Sequence, residues 1–260
     1  MQLATSVSAI GLYAYHRGDP GIQFYKAFYR LILDQFHRLG IEPTYIGAST
    51  KIGSGKFRRF GGRVHTKLLE SEFKNLVSLS IAANPPGSDA PAFDKYFDVS
   101  VGYKHPTGEV LLSYVINESY LLLDSAVFVQ TFNELAMLYA WDFGFGFSDI
   151  ENRQPELHII GSSDGRLPPD EEKALDIWYN TPPEVRVQKL RSVYPYNILN
   201  QTQLSQEVEQ GVTLKDYIQQ QLVGTLEPLG DGRLQLWKIG DPQQRNNARN
   251  YLKRQGLVIS

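Results

Sequence analysis

The 260-residue sequence contains no cysteine, which excludes disulfide bonds, thiolate nucleophiles and zinc sites built on cysteine. It also contains no long apolar run. The two most apolar stretches, residues 109–116 and 121–139, include Asp, Glu, Gln or Asn side chains, and both fall short of the roughly 20 apolar residues of a membrane span. Residues 1–9 carry no Lys or Arg, so we expect no secretory signal and a cytoplasmic protein.

The sequence is also poor in phosphate-binding and metal-binding motifs. Residues 53–56 (GSGK) have part of the P-loop pattern, but Thr50 and Phe57 stand where that pattern requires a glycine and a hydroxyl side chain. No two of the five histidines are two or four residues apart, so the sequence contains no compact histidine pair for a metal ion.

A metal-dependent nuclease site is a further possibility that the spacing disfavours. Asp164, Glu171 and Lys173 are the residue types of such a site, which needs its last two side chains on one face of a strand. The prolines at 168–169 instead predict a helix start, where residues 171 and 173 point in different directions. We therefore predict no catalytic residue, no metal ligand and no cofactor.

Signals for helices and for strands both occur along the chain. Asp19 and Pro20 are typical of a helix start, apolar residues then recur at helical spacing, and Gly40 is typical of the helix end. Asp124 is predicted to cap a second long helix over residues 125–140. Because hairpins also occur, we predict an α+β fold with a mixed, mostly antiparallel sheet flanked by long amphipathic helices.

The sequence also suggests strand pairs and a domain boundary. Residues 97–103 and 109–116 predict a hairpin, and residues 157–161 predict a short strand. The composition changes near residue 193. We therefore predict a core domain over residues 1–180 and a small C-terminal helix-hairpin-helix module over residues 190–260.

Charge is distributed unevenly. Residues 1–80 hold 11 Lys and Arg against 5 Asp and Glu, residues 81–180 hold 5 against 16, and residues 181–260 hold 10 against 7. Nine of the carboxylates lie between residues 142 and 176. This acidic segment is either an ordinary solvated surface, with Asp and Glu favouring a helix N-terminus, or a docking surface for a basic partner.

The second interpretation names specific contact residues. Carboxylates attract a cationic cleft, and aromatic side chains near the rim act as buried anchors. The predicted partner-contacting residues are Asp142, Asp149, Glu151, Glu156 and Asp164.

A basic, glycine-rich loop over residues 51–63 supports an alternative function. Cations, glycines and the aromatic residues Phe57 and Phe60 are the ingredients of a phosphate or nucleic-acid contact. A mobile surface loop, or one that pairs with the acidic segment, would have the same composition. The alternative function is an enzyme or regulator that acts on a nucleotide or nucleic acid. Its candidate phosphate contacts are Lys51, Lys56, Arg58, Arg59 and Arg63.

The segment from residue 97 to 147 also carries a family resemblance. A hairpin leads into the helical stretch FVQTFNELAMLYAW and then into DFGFGF. This arrangement resembles the immunity proteins of bacterial polymorphic-toxin and type VI secretion systems. The resemblance implies a non-enzymatic, cytoplasmic binding protein that blocks the active site of a cognate toxin, and the acidic segment would suit a basic toxin.

The expected partner is therefore a protein. It is a basic toxin or, in a third interpretation, a neighbouring subunit of a larger bacterial assembly. Nucleic acid is the alternative partner, and no contact with a membrane is expected.

Overall fold

The computed structural model describes residues 5–51, 56–84, 97–104, 107–163, 165 and 167–259, apart from the side chain of residue 152. The strands in this part of the chain are β1 Ser6–Ala14, β2 Tyr45–Thr50, β3 Arg58–Arg59, β4 Leu76–Ala83, β5 Phe97–Lys104, β6 Glu109–Asn117, β7 Phe143–Ile150, β8 Tyr196–Asn200, β9 Glu207–Glu209, β10 Val212–Thr213, β11 Thr225–Leu229 and β12 Leu234–Lys238. The α-helices are α1 Gly21–Arg38, α2 Arg63–Glu70, α3 Ala126–Ala136, α4 Pro155–Ile160, α5 Pro169–Asn180, α6 Pro183–Arg186, α7 Gln201–Leu204, α8 Leu214–Gln220 and α9 Pro242–Arg254, and a 3-10 turn spans Glu151–Arg153.

Ten of these strands form one antiparallel sheet in the order β11-β12-β8-β7-β1-β6-β5-β4-β2-β3, and β9 pairs with β10 separately. The first strand in the chain, β1, lies near the middle and pairs with β6 on one side and β7 on the other. The predicted α+β class with a mostly antiparallel sheet is confirmed, and the predicted hairpin is β5–β6.

Both faces of the central strands are covered. In β1, Ile10 and Leu12 belong to the hydrophobic cluster that includes α1 and α3, whereas Ala9 and Tyr13 belong to a cluster on the opposite face. Successive side chains of a strand point to opposite faces, so a strand covered on both faces needs apolar residues at nearly every position. Eight of the nine residues of β1 are accordingly buried.

The long helices pack against one face through aromatic rings. Phe36 of α1 stacks on Phe97 of β5, with ring centroids 4.4 Å apart. Phe132 of α3 stacks on Tyr196 of β8 at 5.8 Å. These two contacts place α1 over the β5 side of the sheet and α3 over the β8 side.

The aromatic-glycine stretch forms β7, and its alternation has a packing cause. The three phenylalanines of β7 lie in the cluster on one face of the sheet. On the other face, a Cβ at Gly146 would lie 2.6 Å from the ring of Phe132. Glycine therefore allows α3 to approach the strand closely.

Residues 190–259 extend the same sheet while having a hydrophobic cluster of their own around Trp237 and Leu252. Strand β8 pairs with β7, and Asn200 donates from Nδ2 to the carbonyl oxygen of Asp142 at 2.9 Å. The division into residues 1–180 and 190–260 stays a prediction, and the sheet is continuous across that boundary.

Two sequence-based expectations differ from the structure. Residues 157–161 are not a strand, because they lie in and just after α4. Pro155 occupies the first helical position and Gly161 ends the helix with φ of 81°, so the short apolar run is helical. The cap of α3 is Ser125 rather than Asp124, since Ser125 Oγ accepts from the backbone N of Phe128 at 3.1 Å.

Candidate partner-binding site

Asp142, the first predicted contact residue, is bound within the fold. Its Oδ2 accepts from the backbone N of Tyr15 at 2.7 Å, and its Oδ1 lies 2.7 Å from Nη2 of Arg17. Only 16% of its side chain is exposed. The carboxylate therefore joins the end of β1 to the start of β7, and its charge is compensated by Arg17.

Asp149 lies at the other end of β7. It is seven residue steps along the chain from Asp142, which corresponds to about 23 Å of extended strand. Its Oδ1 accepts from the backbone N of Ile150 at 2.8 Å and lies 3.6 Å from Nη1 of Arg153. Burial raises the pKa of Asp149. Asp142, just before β7, and Asp149, near its last residue, therefore lie at opposite ends of this strand.

The remaining predicted acidic contacts lie after β7. Glu151 begins the 3-10 turn and Glu156 lies in the first turn of α4, and both are half-buried. Glu156 precedes Ile160 by four residues, so the two share a face of α4. Asp164 lies outside the described residues. The structure thus separates Asp142 from the other three described carboxylates.

The basic loop lies at the β3 edge of the sheet. Lys51 pairs with Asp19, with Nζ and Oδ2 3.0 Å apart, and Asp19 is not part of the acidic segment. Next to the loop, the buried His65 accepts from the backbone N of Gly61 at 3.0 Å through Nδ1, and burial lowers its pKa. All five predicted phosphate contacts of the loop are exposed: Lys51, Lys56, Arg58, Arg59 and Arg63.

An open groove of about 600 Å³ lies between the end of α4 and α5. Ile160 from α4 and Tyr179 from α5 line it and are 45% and 54% exposed. Gly161 and the buried Leu175 also line it. Exposed apolar side chains that converge in one concavity mark a surface suited to a partner.

Two carboxylates border the same groove. Glu172 and Asp176 both line it and are four residues apart on α5, so they share one face of the helix. Glu172 accepts from Ser163 Oγ at 2.9 Å. The exposed Asp170 and Glu171 precede them in the first turn of α5, where the helix dipole favours negative charge.

The acidic character is limited to the side of α5 that faces α4. On its other side, α5 borders a second groove of about 410 Å³, which Asp170, Lys173 and Lys253 line. The lysines there offset the carboxylate. Negative charge therefore concentrates where the apolar residues are exposed.

The end of α4 is fixed by the buried Arg191. Its guanidinium donates to the carbonyl oxygens of His158 and Ile159, the second at 3.1 Å, and the hydroxyl of Tyr13 donates to Ile159 as well. Carbonyl groups in the last turn of a helix lack intrahelical donors, so these bonds satisfy them. Burial, together with the charge of Arg191, holds the pKa of His158 well below its usual value.

A second buried arginine fixes the end of α5. Arg186 donates from Nε to the carbonyl oxygen of Thr181 at 2.7 Å and from Nη2 to that of Tyr179 at 2.5 Å. Its guanidinium lies 5.4 Å from the ring centroid of Trp178, which Arg191 approaches at 5.7 Å. Cation–π contacts are strongest when desolvated, so the two arginines clamp Trp178 and hold both walls of the groove.

Residues 161–165 have the Gly-x-Ser-x-Gly spacing of a hydrolase nucleophile turn, but their setting differs. That motif places its serine between a strand and a helix, whereas these residues follow α4. Ser163 donates to Glu172, and the nearby His158 bonds to the hydroxyl of Tyr194 at 3.0 Å. The described residues of this segment, Gly161, Ser162, Ser163 and Gly165, line the groove.

A metal ion needs several clustered ligands, and a membrane span needs a long apolar helix. The described residues contain no group of three or more His, Asp or Glu side chains that could hold a metal ion. Among the helices in this part of the chain, none combines the length and the apolar character needed to cross a membrane.

Ile160 and Tyr179 were missed by the sequence analysis. Each follows a buried neighbour, Ile159 or Trp178, and an apolar residue next to a core position is usually interpreted as core. Consecutive residues of a helix point about 100° apart. A helical assignment of residues 157–161 would therefore have predicted that Ile160 faces away from the buried Ile159.

Comparisons with known proteins give a likeness in fold. No family model matches the sequence. No curated protein matches it either. A chain in the structure described as the toxic C-terminal tip of CdiA from Pseudomonas aeruginosa in complex with immune protein covers 64% of this chain and 99% of its own length. It has 12% identity and a TM-score of 0.29, which carries no structural argument.

A second solved structure matches along almost the whole chain. It is the T6SS protein PA0821 of Pseudomonas aeruginosa, with a TM-score of 0.59 and 13% identity. The match covers 98% of this chain and 74% of that protein. At this identity the likeness concerns the fold alone, and this chain therefore shares its fold with a protein described as a T6SS protein.

Proposed function

We propose that this chain is a non-enzymatic binding protein of the immunity type, which binds a basic toxin in the cytoplasm and blocks its active site. The observation that carries the proposal is the groove between α4 and α5, where exposed apolar residues and carboxylates converge. Carboxylates attract a cationic partner over distance, and apolar side chains supply contact once it arrives. The shared fold with a T6SS protein supports a bacterial setting of this kind.

The groove suits an arginine of the partner. A guanidinium group can bond to Glu172 and Asp176 while its flat face stacks on Tyr179. The ring of Tyr179 already has the ammonium group of Lys104 5.7 Å from its centroid, so its position favours cations. Ile160 would pack against the methylene groups of the same side chain.

The acidic residues predicted from sequence have different parts in this proposal. Glu156 shares a face of α4 with Ile160 and extends the groove. For Asp149, Glu151 and Asp164 we propose either direct contacts with the partner or a contribution to the negative potential that attracts it. Asp142 contributes least, because Arg17 already compensates its carboxylate and only 16% of its side chain is exposed.

The first experiment tests whether the chain protects against a toxin. The product of the neighbouring open reading frame is expressed from an inducible promoter, with or without this chain. We expect that product to stop growth when alone and growth to continue when the two are co-expressed. A harmless neighbour, or a toxic one that this chain does not neutralise, would refute the proposal.

A matched pair of variants tests the groove. Glu172→Lys with Asp176→Lys reverses two charges in the groove, and Glu42→Lys with Glu70→Lys makes the same change at exposed positions elsewhere. We expect the groove variant to lose protection and the control to keep it, because only the first repels a cation. Equal protection by both variants would place the contact elsewhere.

A further inference from the structure

A third concavity, of about 220 Å³, lies at the N-terminus of α1. Helix α1 covers the face of the sheet opposite to α4, so this pocket and the groove lie on different sides of the molecule. Three segments line it: the first turns of α1, Lys51 at the end of β2, and the turn that leads into β4.

The charge of the pocket is positive. Lys51 and Lys74 line it, and both are exposed. Asp19 is the carboxylate among its described lining residues, and both of its oxygens are engaged. Oδ2 lies 3.0 Å from Lys51 Nζ, and Oδ1 accepts from the backbone N of Gly21 at 2.9 Å.

The helix end adds hydrogen-bond donors. Helix α1 has 18 residues, no capping side chain on its N-cap residue Pro20 and no acidic residue in its first turn. The backbone N–H groups of a first turn have no intrahelical acceptor and carry partial positive charge, so a helix of this length favours an anion there. Ile22, in that turn, lines the pocket.

The hydroxyl of Tyr25 is the independent sign of a ligand. Tyr25 is 1% exposed and lines the pocket, and its Oη has no hydrogen-bond partner among the described residues. Side chains on a helix lean toward its N-terminus, so the ring extends over the turn of Gly21 and Ile22. A buried hydroxyl without a partner is destabilising, and a bound acceptor would satisfy it.

We propose that this pocket binds a phosphate group. The hydroxyl of Tyr25 and the backbone N–H of Ile22 donate to its oxygens, and Lys51 and Lys74 compensate its charge. This site is separate from the groove, and it does not depend on the proposed protection against a toxin.

The test titrates the full chain with sodium phosphate at constant ionic strength, with sodium chloride as the balancing salt, and measures heat of binding and thermal unfolding. We expect saturable binding that Lys74→Gln weakens about tenfold and Tyr25→Phe weakens about threefold. Lys67→Gln removes an equally exposed lysine outside the pocket and should leave binding unchanged. Tyr25→Phe without phosphate should be at least as stable as the original chain, since it removes an unpartnered hydroxyl.

Several outcomes would overturn the site. These are an equal thermal shift with chloride alone, binding that does not saturate, and a loss of binding in Lys67→Gln as large as that in Lys74→Gln. A titration with adenosine monophosphate separates two sources of the group. Binding equal to that of inorganic phosphate identifies a site for the phosphate of a larger molecule, and weaker binding identifies a site for the free ion.

Discussion

At the residue scale, the aromatic-glycine stretch that carries the family resemblance is explained by packing. Its phenylalanines fill the cluster beneath α4 and α5, and Gly146 leaves room for α3 on the other face. The sequence could predict that the glycines relieve crowding in a strand. It could not predict that Phe132 is the neighbour, because that contact joins residues of separate elements.

Gly146→Ala should therefore destabilise the fold. The new Cβ would lie 2.6 Å from the buried ring of Phe132, and overpacking of this kind costs about 2 kcal/mol. Gly240→Ala is the control, because nothing lies within 4 Å of its Cβ position. Urea denaturation should show a loss for Gly146→Ala and almost none for Gly240→Ala. Equal midpoints would mean that α3 does not pack on β7 as described.

The buried His158 predicts how stability depends on pH. Its native pKa is well below the usual value, first because of burial and then because of Arg191. Above pH 6.5 both the folded and unfolded states are neutral at this residue. As the pH falls further the unfolded state binds a proton that the folded state resists, so stability decreases by up to about 1.4 kcal/mol per pH unit.

The measurement compares the unfolding free energy of the chain and of His158→Gln between pH 7 and pH 5. The variant should show a shallower decrease on acidification, because one titrating group has been removed. His65, whose pKa burial also lowers, contributes in the same direction in both proteins. Parallel pH profiles would show that His158 titrates normally in the folded state.

At the element scale, the sequence predicted the parts with strong local signals. Helix α1 and the β5–β6 hairpin have clear periodicity and clear ends, which depend on neighbouring residues alone. Residues 157–161, which lie in and just after α4, were mistaken for a strand, because so short a stretch with three apolar residues fits either period. Because of that error, the sequence did not predict that Ile160 is exposed and lines one side of the groove.

The start of α3 gives a test at this scale, since two adjacent residues can cap a helix. Ser125 Oγ accepts from Phe128 N at 3.1 Å, so Ser125→Ala should destabilise the chain by about 1 kcal/mol. Ser162→Ala is the control, because this exposed serine takes part in a helix end through its backbone N–H, which the substitution keeps. Thermal or urea unfolding measures the stability of both variants. If Ser125→Ala is as stable as the original chain, Ser125 is not the cap and Asp124 becomes the candidate again.

At the scale of the whole molecule, the composition predicted an acidic surface but not which part of the fold carries it. Acidic residues concentrate in the middle third of the sequence, yet the fold leaves Asp142 paired inside and directs Glu172 and Asp176 into the groove. The order of strands in the sheet and the two buried arginines decide this arrangement. Both depend on contacts between distant residues, which local patterns do not encode.

The central claim is that a basic partner binds at the groove between α4 and α5. The most direct measurement is the association rate of the purified product of the neighbouring open reading frame with the two charge-reversal variants. It is measured at ionic strengths where the Debye length is about 30 Å and about 8 Å. We predict that Glu172→Lys with Asp176→Lys slows association at least about tenfold at the lower ionic strength, and less at the higher. Glu42→Lys with Glu70→Lys should have little effect, and equal rates for the two pairs would contradict the account.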